Sequence, residues 1–111
     1  MTDSKYQQYK GSIANVVKAK IEAGAGHLRG ASVLLAPITA EMQTGGIILA
    51  VENGRGDHEI HEVIAVADDV SGIEVGQHVI HLDAGAKLIP NGASADFALV
   101  HEKYILAAWN P

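Results

Sequence analysis

The chain has 111 residues and no cysteine, so neither a disulfide scaffold nor thiolate chemistry is open to it. A reducing compartment permits this composition, and the cytoplasm is the expected location. Basic residues are scarce: 8 Lys and Arg stand against 13 Asp and Glu, for a formal net charge of -5. That balance offers no electrostatic footprint for a phosphate backbone, so nucleic acid is not an expected partner. Long apolar runs are also missing. No stretch approaches the roughly 20 apolar residues of a membrane span, and the opening MTDSKYQQYKGSIANVVKAK lacks the uninterrupted apolar core of a secretory signal. Neither export nor membrane insertion is expected.

Signatures of chemistry are sparse in the same way. Ser32, Ser71 and Ser94 have no G-x-S-x-G context to make a strained nucleophile. The glycines of TGGIIL and NGRGD match neither the Walker spacing nor the dinucleotide fingerprint. Six histidines include two H-x-x-H spacings, His58 with His61 and His78 with His81. Both lie in strand-like sequence, where residues three apart point to opposite faces and cannot share an ion. No metal, no cofactor and no catalytic residue is expected, and the chain reads as a non-enzyme. The tripeptide Arg55-Gly56-Asp57 resembles an adhesion motif, but such tripeptides arise often by chance in chains without an export signal.

What is present is enough apolar residue, 48%, to fill one modest core. Tyr6, Tyr9, Ile13, Val16, Val17 and Ile21 recur at helical spacing, and the glycines of Gly24-Ala25-Gly26 suit a helix C-terminus. Residues 1–26 are therefore expected to be an amphipathic helical extension. Its basic residues, Lys5, Lys10, Lys18 and Lys20, suit docking on an acidic body or a neighbour better than on a membrane surface, because the apolar face is narrow. From residue 27 to 111 the character changes to short Val- and Ile-rich runs broken by Gly, Asp and Asn, the pattern of a small, mainly β domain. Strands are expected at 31–38, 58–68, 76–83 and 96–109, with DDVSGIEVG and DAGAKLIPNGASAD as turns. So many short strands in a small domain favour closure into a β-barrel, which removes exposed edges. Eight of the 13 acids, from Glu52 to Asp83, share that stretch with Arg55 as its single basic residue, which predicts an acidic, solvated surface.

One segment does not fit the pattern of a buried core. TGGIILAVENGRGD, Thr44 to Asp57, sets Ile47, Ile48 and Leu49 between two glycines and a polar, glycine-rich run. Either it is a buried strand leading into a hairpin at ENGRGD, or it is a mobile loop carrying an aliphatic hook for another protein.

The order SVLLAPI, TGGIIL, EVIAVADDV, VGQHVIHLD and EKYILAAW resembles the GroES-type co-chaperonin (chaperonin-10) family, the small lids of ATP-driven folding chambers. The resemblance covers about Gly30 to Trp109. It implies a GroES-like β-barrel with a mobile loop at about 40–57, assembled as a homo-oligomer, a ring of seven. It also implies nucleotide-dependent binding to a GroEL-type chaperonin through Gly45, Gly46, Ile47, Ile48 and Leu49, and confinement of an unfolded client protein. Three departures stand out. ADDVSGIEVG is too short for the family's roof hairpin, Gln77 replaces the aspartate usual after Val-Gly, and DAGAKL lacks the usual aromatic. A shortened roof resembles that of virus-encoded, bacteriophage co-chaperonins acting in the host cytoplasm. Two other classes compete. HEVIAVADDVSGIEVGQHVI is similar to the catalytic domain of zinc alcohol dehydrogenases, but their cysteine ligands and nucleotide-binding half are missing. A structural or decoration β-barrel would bury the apolar triplet in an oligomer interface.

Overall fold

The computed structural model describes residues 12–38 and 60–111. They form one helix, α1 (Ile13–Glu22), and six strands: β1 (Ser32–Pro37), β2 (His61–Val66), β3 (His78–His81), β4 (Lys87–Asn91), β5 (Ser94–His101) and β6 (Ile105–Trp109). The strands make one antiparallel sheet in the order β4-β5-β1-β2-β3-β6. β4 and β6 stand at the two ends of that order. A mainly β domain with one short helix thus matches the expectation from the sequence. Among the described residues no helix is long and apolar enough to cross a membrane.

Helix α1 begins and ends where local chemistry dictates. The Ser12 hydroxyl accepts the Asn15 N–H at 3.2 Å and so caps the first turn. At the other end Ala25 N–H bonds to Lys20 O at 2.9 Å and Gly24 N–H to Ile21 O at 3.1 Å. This is a Schellman closure, and Gly24 supplies its left-handed residue at φ 76. Tyr6, Tyr9 and Gly11 lie outside the described residues. The buried stripe is also rotated from the expected one. Ala14, fully buried, heads the line Ala14, Val17, Ile21 against the sheet, while Ile13 is 38% exposed. A methyl group lets helix and sheet backbones approach where a longer side chain would hold them apart.

The sheet carries apolar residues on both faces. Val33, Leu35, Val63, Val79, Ala98 and Val100 form the core on one face. On the other, Leu34, Ala65 and Phe97 pack with Ala14 beneath the helix. β1 thus alternates between two cores instead of between core and solvent, which is why SVLLAP reads as a nearly continuous apolar run. A bulge reconciles β2 with this arrangement. Leu34 pairs with Ala65 and Leu35 with Val63, so Ile64 is the extra residue, and Ile64 and Ala65 both join the cluster under α1.

Two stretches depart from expectation. DAGAKLIPNGASAD does not remain a loop, because Lys87–Asn91 pairs with β5 from Lys87↔Leu99 to Asn91↔Ser94. Its turn residues are used at Gly92 and Ala93, while Ile89 contributes to the cluster under α1, so long-range pairing overrides the local turn propensity. The stretch 96–109 is not one strand but two, separated by a 3-10 turn at Glu102–Tyr104 that His101 caps by accepting Lys103 N–H at 3.0 Å. Residues 67–77 contain turns and no strand.

Candidate functional site

The framework fixes one end of the sheet with some exactness. β1 and β2 pair as far as Pro37↔His61, and Ile38 N–H then bonds to Ile60 O at 3.2 Å. The connection between them, residues 39–59, therefore leaves from and returns to a single point on the sheet. The sequence-derived binding residues Gly45, Gly46, Ile47, Ile48 and Leu49 all belong to this connection and lie outside the described residues.

Beside that point is a cavity of about 540 Å³, lined by Pro37, His61, His81, Asp83, Leu88 and Asp96, among others. Its walls come from β1, β2, β4 and β5, and from the end of β3 with the residues that follow it. In a flat sheet β4 and β3 would stand four strand spacings apart, about 19 Å at ~4.8 Å each. Side chains of β4 and of the end of β3 nevertheless line the same cavity, so the sheet curls around this face. The curl also explains how residues before β4 (Ala86) and in β6 (Ile105) reach the same core cluster.

The histidines are arranged as strand alternation requires, with one addition that sequence spacing does not reveal. His78 points away from the cavity and meets Trp109 edge-on at 6.2 Å between ring centroids. His81 points into it and meets His61 at 4.7 Å with an interplanar angle of 72°. His61 and His81 belong to different H-x-x-H spacings, and His58 lies outside the described residues. They meet because His61 is in register with Val79, which makes His81 its diagonal neighbour across the pair. His81 Nδ1 donates to Leu82 O at 2.7 Å, so this nitrogen carries a proton. Among the described residues no group of three or more His, Cys, Asp or Glu is placed to hold a metal ion.

The serines find structural partners. Ser32 is in register with His101, but His101 Nδ1 is taken by the Lys103 N–H. Ser71 N–H donates to Glu102 Oε1 at 3.1 Å, tying the turn after β2 to the 3-10 turn. Gln77 serves a local purpose. Its Oε1 accepts Glu74 N–H at 2.9 Å and its Nε2 donates to Asn110 Oδ1 at 3.5 Å. The residue closes the turn before β3 and links it to the end of β6.

The geometry defines a small antiparallel β protein with a long connection pinned to one end of a curled sheet. No family model, no curated protein and no solved structure matches the chain.

Proposed function

We propose that this protein is a co-chaperonin of the GroES type, a non-enzymatic lid that engages a GroEL-type chaperonin through Ile47, Ile48 and Leu49. The observation that carries the reading is the pinning of residues 39–59 at Ile38 and Ile60. A segment fixed at both ends to one point of a rigid sheet can present an apolar triplet outward without disturbing either core. Further support comes from the order of elements. β1, the pinned connection, β2, β3 and β6 follow one another as SVLLAPI, TGGIIL, EVIAVADDV, VGQHVIHLD and EKYILAAW do in the resemblance. The curl of the sheet favours the same reading, a GroES-like barrel whose end strands β4 and β6 are not paired with each other among the described residues.

The energetics require several copies. Burying three aliphatic side chains gains roughly 1.5 to 3 kcal/mol each, while ordering about ten loop residues costs about 1 to 2 kcal/mol apiece. One loop binds poorly. A ring of seven makes every contact after the first intramolecular, so weak hooks sum to a firm cap that a nucleotide-driven change in the chaperonin can release. The chamber closed in this way confines an unfolded client, and the lid needs no cofactor.

The test is co-sedimentation of the purified protein with a double-ring bacterial chaperonin, with and without adenine nucleotide. Nucleotide-dependent capture is expected, and Ile48→Asp should abolish it while leaving the protein folded, because the complex would bury an unpaired charge. Normal capture of the variant, or no capture of the folded wild type, would refute the reading.

A further inference from the structure

We propose that the cavity at the root of the 39–59 connection binds a small organic cation, an ammonium group on an apolar stem. Its volume of about 540 Å³ lies within the roughly 300 to 1,000 Å³ of small-molecule sites. The carboxylates in its lining, Asp83 and Asp96, are accompanied by no Lys or Arg among the described residues, and they stand on opposite walls. Asp96 belongs to β5 and Asp83 follows β3, with β1 and β2 between them in the strand order. Neither acid is neutralised from within the described residues, where the one ion pair joins Lys18 to Glu22 on α1.

The nearest base in sequence is kept out by strand alternation. Ala86 and Leu88 line the cavity, but Lys87 between them is in register with Leu99, which belongs to the cluster under α1 on the other face. The acids, by contrast, are placed at the rim by the framework. Asp96 is exposed and shares its face of β5 with the buried Ala98, so a carboxylate stands above an apolar floor. Asp83 opens the turn after β3, where its carbonyl accepts the Ala86 N–H at 3.1 Å.

Between the acids the lining is apolar and aromatic. Pro37 and Leu88 contribute aliphatic surface, and His61, 8% exposed, meets His81 edge-on deeper in the cavity. Exposed carboxylates over such a floor suit a ligand with a charged head and an apolar body. The head is attracted at the rim, where it keeps part of its hydration, and the stem displaces water from the floor. An anion of the same shape would meet two like charges on a chain that already carries -5. The site uses none of the loop residues of the preceding section and requires no chaperonin.

The experiment is a titration of the full chain, followed by amide NMR, with phenethylammonium and separately with phenylacetate, an anion of similar size. It is run above neutral pH, where free imidazole is uncharged. Saturable shifts at His61, His81, Asp83 and Asp96 are expected at about millimolar phenethylammonium, with phenylacetate at least about tenfold weaker. Asp96→Asn replaces an exposed side chain and so spares the fold. It should weaken phenethylammonium binding by about threefold, and the double variant with Asp83→Asn by about tenfold. Asp68→Asn, equally exposed but outside the cavity, should leave binding unchanged. The absence of saturable shifts, shifts away from the cavity, equal affinity for phenylacetate, wild-type binding by the double variant, or equal weakening by Asp68→Asn would each overturn the proposal. Chaperonin capture is a separate assay, so the two readings fail independently.

Discussion

Ser12→Ala removes one oxygen that performs two tasks. The hydroxyl accepts the Asn15 N–H at 3.2 Å, capping α1, and donates to Asn91 Oδ1 at 2.7 Å, joining the helix to the β4–β5 hairpin. Loss of an N-cap costs about 1 kcal/mol, and loss of a side-chain hydrogen bond costs a further 0.5 to 1.5 kcal/mol, roughly. Asn91 keeps the bond from its Nδ2 to Ala95 O at 3.4 Å and its Oδ1, only part-buried, can turn to water, so the total should be about 1.5 to 2.5 kcal/mol. At about 2.1 cal/mol/K per residue, this corresponds to a fall in Tm of roughly 6 to 11 °C. Urea and thermal melts of Ser12→Ala, Asn91→Ala and the double variant form a mutant cycle, with an expected coupling of about 1 kcal/mol. A single variant within about 0.3 kcal/mol of wild type, or strict additivity in the cycle, would refute the claim that this contact docks the helix.

Leu34→Ala, at a fully buried position beneath α1, should cost about 2 to 5 kcal/mol in urea unfolding, whereas Leu106→Ala at an exposed position of β6 should change stability by less than about 0.5 kcal/mol. Two glycine variants separate backbone strain from steric contact. Gly24→Ala enters open space at φ 76 and should cost about 1 kcal/mol. Gly85→Ala combines φ 82 with a Cβ 2.8 Å from the Tyr104 ring and should cost clearly more, about 2 to 3 kcal/mol, with a matching change in tyrosine fluorescence. Equal costs for the two would mean that the ring moves aside freely.

The sequence by itself determined what depends on neighbours along the chain. Whereas the Ser12 cap was not read from the sequence, the glycine at the C-terminal end of α1, the β-branched runs of β1 and β2, and the opposed directions of His78 and His81 all follow from local geometry. So does the oddity of an aliphatic triplet between glycines and a polar run. Tertiary structure decided what depends on register. KLIPN became β4 because β5 was there to pair with it, and Ala14 instead of Ile13 faces the sheet because the closeness of the packed layers selects the smaller side chain. His61 meets His81 through a register of β2 on β3 that neither strand encodes alone. β6, which reads as any other apolar strand, is distinguished by standing at one end of the strand order among the described residues. Strand order and register are set by summed long-range packing, and a hydrophobic period records which faces are apolar without recording what each face will meet.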